Sequence, residues 1–149
     1  MMLGTVGGQF RMDSTVTSDT VNLAARIEAL TKQYQVFLLI SQETLLRLQG
    51  PEVYCYRLID CVPVKGKSEP VSIFEIFDAD PDEIRLAKQS LKTTFESAII
   101  DLKLGHAEIA LAGFKAYLEA VPTDVVAQQH RDRCWQQIHR PAPVAYHAP

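Results

Sequence analysis

The sequence has no excess of cationic residues, no long apolar run and few cysteines, and each shortage excludes a class of function. Against 18 Asp and Glu there are 15 Lys and Arg, a net charge of −3. A chain so balanced has no extended basic surface for a phosphate backbone, so nucleic acid is not expected as a partner. The longest apolar run, residues 36–40, is strand-sized, far short of the roughly 20 residues that a membrane-spanning helix requires. No charged segment followed by an apolar one opens the chain, so no secretion signal is expected. Cys55, Cys61 and Cys134 lack metal-ligand spacing. They read as small apolar fillers in a reducing, cytoplasmic setting, with any membrane anchor of a parent chain lying upstream. His106, His130, His139 and His147 have no ligand spacing either and are expected at the surface. The sequence GKS at residues 66–68 is not a phosphate loop, because the glycine required five positions before Gly66 is replaced by Cys61.

What is present is enough apolar material for a core, 47 % of 149 residues, arranged in two different periods. Residues 3–8 read as a strand running into a glycine turn, and residues 10–17 as a second extended segment because of their β-branched content. Ser18 or Asp19 is placed to cap a helix whose apolar positions are Val21, Ala24, Ala25, Ile27 and Leu30 and which ends near Tyr34. VFLLIS (residues 36–41) reads as a buried strand. Ser41 then opens a short helix reaching Gly50, and residues 54–64 and 71–77 read as two strands around the polar turn KGKSEP.

After the acidic stretch DADPDE (residues 78–83) the period becomes helical. One stripe runs through Leu91, Phe95, Ala98, Ile99 and Leu102, and Gly105 breaks it. A second holds Ile109, Ala110, Phe114, Tyr117 and Leu118, and Pro122 with Asp124 starts a third helix carrying Val125, Val126, Cys134 and Trp135. The expected organisation is an α+β unit over residues 1–78 with four or five strands and two helices. A linker and helix start follow over 79–90, two or three helices over 91–138, and a proline-rich disordered tail over 139–149.

Four ordered motifs, LGTVGG, V-N-x-A-x-R at residues 21–26, I-S-x-x-T at residues 40–44 and V-K-G-K at residues 64–67, make the first part resemble the class III adenylate and guanylate cyclases over residues 3–77. The resemblance implies a partial ferredoxin-like cyclase domain, its C-terminal half. It implies attack of the ribose 3′-hydroxyl of ATP on the α-phosphorus, giving 3′,5′-cyclic AMP and pyrophosphate, a step that needs positioning and charge stabilisation rather than a covalent nucleophile. By that resemblance Asn22 orients the ribose, Arg26 offers its guanidinium fork to the α-phosphate, and Lys65 sits over the outer phosphates. Thr15, seven positions before Asn22, and its neighbour Val16 fall where the purine is contacted, and threonine there favours ATP. Asn22 and Arg26, four apart, share one helix face.

The family's metal-binding aspartates, which hold Mg²⁺ or Mn²⁺, belong to the domain's first half. No metal ligand is therefore assigned here, and Asp13, Asp19 and Glu28 read as turn, cap and surface groups. The two methionines ahead of LGTVGG are expected to mark a truncated frame or an internal start, leaving a fragment that is inactive alone and pairs as a homodimer or with the missing half. Such a half domain is expected to expose a sheet edge and an apolar face, and so to self-associate. Residues 91–124 resemble a tetratricopeptide repeat, with Ala98, Gly105, Ala110, Phe114 and Pro122 at the pattern's positions, which implies a protein partner. The competing reading is a non-catalytic interaction module.

Overall fold

The structure is a computed structural model that describes residues 14–140 and, among them, the side chains from Ser18 onward. The expected strand at residues 3–8, residues 10–13, the tail from residue 141 and His147 lie outside this range. The chain divides into two compact units, Met1–Ala79 and Asp80–Pro149.

In the first unit α1 spans Ser14–Tyr34. It begins one turn before the expected cap, so Ser14 to Thr17 are helical, not extended, and neither Ser18 nor Asp19 is a cap. The helix penalty of Thr and Val is only a few tenths of a kcal/mol per residue. A helix already held by tertiary burial of Leu30 and Tyr34, at 2 % and 0 % exposure, propagates through them without a new nucleus. Its C-terminus is closed by bonds from Gln35 N to Lys32 O and Val36 N to Thr31 O, both 3.3 Å, around a left-handed Gln35 (φ 55°). This is the Schellman arrangement, here without the usual glycine.

The VFLLIS run contributes only β1, Leu39–Ser41. The Val36 amide is committed to the helix end, and β1 pairs through Leu39↔Glu75 to Ser41↔Ile73 near the end of its partner. Phe37 and Leu38 are thereby left exposed. Ser41 caps α2, Gln42–Arg47, by accepting from Thr44 N at 3.2 Å. That helix stops before the expected Gly50, since Leu48 is extended and a left-handed Gly50 leads into a 3-10 turn at Pro51–Val53.

Strands β2 (Tyr56–Val62) and β3 (Val71–Ile76) form an antiparallel hairpin, and the sheet order is β1-β3-β2. Three strands are thus present among the described residues. A bulge between Leu58 and Asp60 sets Arg57 opposite Glu75 and Asp60 opposite Ile73, so both charged β2 residues share the face of Ile73 and Glu75. There Arg57 Nε donates to Glu75 Oε1 at 2.7 Å with the two side chains at 0 % and 1 % exposure, and Tyr34 Oη donates to Asp60 Oδ2 at 2.6 Å. Leu39, Ile59, Val62, Ile73 and Phe77 complete the core of this unit.

Among the described residues the second unit holds α3 (Asp82–Ser90), over the expected linker and helix start, and three helices over 91–138: α4 (Lys92–Lys103), α5 (Ala107–Ala120) and α6 (Val125–Ile138). The first turn of α3 carries Asp82 and Glu83 at the positive end of the helix dipole, and its Lys88 reaches Asp80 at 2.5 Å. Gly105 (φ 88°) closes α4 through bonds from its own amide to Leu102 O and from His106 N to Asp101 O. Phe95, edge-on to Phe114 at 5.8 Å, and Tyr117 build the core. Gly113 allows α5 to approach α4, because a Cβ there would stand 3.0 Å from Ala98 Cβ. His130 is not at the surface but fully buried, stacked on Phe114 at 5.5 Å. Arg133 Nη1 lies 3.0 Å from its Nδ1; arginine only donates, so Nδ1 accepts. His106 and His139 are exposed.

Asp124 joins α5 to α6. Its carboxylate accepts from Val126 N, Ala127 N and Tyr117 Oη (3.0, 3.3 and 2.6 Å) at 6 % exposure. Asp124→Ala should cost about 2 kcal/mol in urea unfolding, by losing a helix cap and stranding a buried hydroxyl. Tyr117→Phe, which leaves the cap intact, should cost about half of that. Equal losses from both would show that the cap contributes nothing. Cys134, also in α6, is fully buried, and desolvation pushes its thiol from 9.0 up to about 11. Iodoacetamide at pH 8 should therefore modify the half-buried Cys55 and Cys61 well before Cys134. Between pH 9 and 11 the unfolded thiol ionises and the folded one does not, so stability falls as pH rises through that window.

Candidate functional site

Helix α1 carries Asn22 and Arg26 one turn apart, both half-buried. The hairpin turn at residues 64–67 lies against the same helix. It is closed by Lys67 N donating to Val64 O at 3.0 Å, and it places Gly66 at its third position with φ 93°, the geometry that favours glycine in a type II turn. Val64 is buried and anchors the turn to the core, while Lys65 and Lys67 stay exposed.

Two contacts join turn and helix. Asn22 Nδ2 donates to the Lys65 carbonyl at 3.2 Å, and Gly66 presses against Asp19 so closely that a Cβ would overlap its Oδ1 and stand 3.7 Å from Asn22 Nδ2. Residues 43 apart in sequence, Asn22 and Lys65, are thereby brought together, with Arg26 one turn further along the helix. Among the described residues no ion-pair partner is present for Arg26. Thr15 and Val16 lie in the first turn of α1; their side chains are outside the described range.

Beside the turn, a groove of about 310 Å³ runs between α1, α2 and the start of β3. Leu23, Leu46 and Val71 form its apolar wall, and Lys67 and Glu43 are its charged lining. Among the described residues no group of three or more His, Cys, Asp or Glu side chains could hold a metal ion. The described residues alone therefore do not fit a Mg²⁺ or Mn²⁺ centre. Sequence reasoning missed Asp19, read as a cap, as the residue facing the turn. The available signal was the glycine after Lys65, since a turn glycine marks where backbone approaches something closely.

No family model matches the chain, and no solved structure matches it. It is 37 % identical over 139 residues to the terminal-differentiation-specific adenylate cyclase of Dictyostelium discoideum, an alignment covering 92 % of this chain and 6 % of that protein. It is 51 % identical over 77 residues to an adenylate cyclase of Anabaena cylindrica, 51 % of this chain and 15 % of that protein. With adenylate cyclase 1 of Rhizobium meliloti (strain 1021) it shares 31 % identity over 75 residues, 50 % of this chain and 11 % of that protein. The chain therefore spans a small part of the curated relatives it matches. Because 92 % coverage cannot be reached within either unit alone, the chain is related in sequence to adenylate cyclases through both its α+β unit and its helical unit.

Proposed function

We propose that the chain provides the C-terminal half of a class III adenylate cyclase catalytic domain, of partial ferredoxin-like fold, acting in the conversion of ATP to 3′,5′-cyclic AMP and pyrophosphate. The observation that supports this reading is the bond from Asn22 to the Lys65 carbonyl, with Arg26 one turn further along the helix that carries Asn22. Arg26 stabilises charge growing on the α-phosphate oxygens as the 3′-oxygen attacks and pyrophosphate departs. Asn22 orients the ribose, Lys65 faces the outer phosphates, and Thr15 with Val16 borders the purine. The metal-binding carboxylates belong, on this reading, to a segment outside the chain. The composite site then forms in a dimer or with an N-terminal half, which would cover apolar surface such as Phe37 and Leu46, at 73 % and 72 % exposure. The setting is cytoplasmic; among the described residues no helix is long and apolar enough to cross a membrane.

The helical unit is read as tetratricopeptide-like. Buried Ala98, Ala110 and Phe114 support this, and its stacked helices would offer a face to a protein partner. Its inclusion in the alignment with the Dictyostelium discoideum cyclase favours an appendage of the enzyme over a free-standing interaction module.

The test is cyclic AMP production from ATP and Mn²⁺. None is expected from the chain alone, and turnover is expected when it is mixed with a related cyclase domain whose own asparagine and arginine are disabled. Activity of the chain alone, or no difference between the intact chain and an Asn22→Ala, Arg26→Ala chain in the mixture, overturns the reading.

A further inference from the structure

The turn that carries Lys65 reaches α1 because residue 66 has no side chain. Gly66 adopts φ 93°, where L side chains are strained, and the space that a Cβ would need is taken by the Asp19 carboxylate. Only with the turn this close can Asn22 Nδ2 hold the Lys65 carbonyl at 3.2 Å. The Lys65 side chain is exposed and has no hydrogen-bond or ion-pair partner among the described residues, so the backbone from which it projects sets where its ammonium lies.

We propose that Gly66 is a positioning residue for Lys65: it docks the hairpin turn on Asp19 and Asn22, so that the Asn22 amide anchors the Lys65 main chain and sets where its ammonium can reach. Asn22 then acts on ligand in part through Lys65. This inference rests on the cyclase reading for the use made of Lys65, but not for the docking itself. Substitution is tolerable for the fold, since residues 65–70 are exposed and lie outside β2 and β3.

The experiment uses the full chain and its Gly66→Ala, Asn22→Ala, Lys65→Ala, Lys65→Ala/Gly66→Ala and Gly66→Ala/Asp19→Ala variants. Amide exchange and the Asn22 side-chain resonances are followed by NMR, and affinity for ATP by titration. Gly66→Ala should speed exchange at Lys67 N by about fivefold or more and move the Asn22 amide resonances, leaving β2 and β3 protected. Asn22→Ala should loosen the same turn, and Asp19→Ala should recover part of the loss by removing the carboxylate in the way. Unchanged exchange in Gly66→Ala, or loss of protection throughout the hairpin, overturns the proposal. If Lys65→Ala weakens ATP binding, Gly66→Ala must weaken it comparably and the two together no further; wild-type affinity in Gly66→Ala would also overturn it. If Lys65→Ala leaves ATP affinity unchanged while the turn still loosens in Gly66→Ala, the cyclase role of Lys65 fails and the docking stands.

Discussion

Glu75→Ala is expected to destabilise the α+β unit by about 3–5 kcal/mol, the cost of breaking a buried ion pair from one side. Most domains of this size are stable by only about 5–15 kcal/mol, so the variant should be close to unfolding at room temperature. The loss is large because Arg57 cannot escape its position. Its guanidinium stays charged at any accessible pH, it is fully buried, and the carboxylate it bonds at 2.7 Å sits directly across the hairpin. A lysine there would neutralise itself by losing a proton; an arginine will not. Replacing both partners with apolar residues, as in Arg57→Met/Glu75→Leu, removes the stranded charge and should recover most of the stability. Trp135, the single tryptophan, reports on the other unit. Hydrogen exchange of β3 amides in increasing urea is therefore the appropriate measurement. A loss below about 1 kcal/mol for Glu75→Ala would mean that water or another carboxylate already compensates Arg57.

In the mixed cyclase assay, Arg26→Ala is expected to lower turnover by about 10²-fold or more, with a smaller change in KM. Removing one preorganised donor from developing charge costs on that scale, and the loss falls on kcat when the interaction strengthens in the transition state. Arg26→Lys keeps the charge but not the planar fork, so it should recover only part of the rate. Lys65→Ala should do the opposite, raising KM more than it lowers kcat, because the outer phosphates carry nearly the same charge before and during the step. Thr15→Cys should shift preference away from ATP only modestly. Restored activity that is indifferent to Arg26→Ala would remove Arg26 from the chemistry.

The parts of this arrangement that were legible in the sequence are those fixed locally. The four-residue spacing of Asn22 and Arg26, the end of α1 at Tyr34, the Ser41 cap and the turn between β2 and β3 all follow from short-range rules. What escaped was set by distant partners. The pattern YRLIDCV puts charges three apart, which matches neither face of a regular strand, and only the bulge at Leu58/Asp60 turns both inward. No rule of spacing announces that Arg57 and Glu75 are opposite each other. His130 is buried for the same kind of reason, since a ring on Phe114 and a donor from Arg133 make a dry site acceptable. At the candidate site the helix half was readable, but the contact of Asp19 with Gly66 depends on how the hairpin folds back, which lies beyond any local signal.

The strand order has a consequence for how the chain is made. Both pairings among the described strands involve β3, which lies between β1 and β2 although it comes last in sequence. Among the described strands, β1 and β2 have no partner in a nascent chain that has emerged from the ribosome only as far as Pro70, and their pairing waits until residues 71–76 appear. The three described strands thus come together in one late event, and a ribosome stalled inside that stretch would hold out a segment with Phe37, Leu38 and the edge of β2 uncovered, a target for chaperones until six more residues arrive.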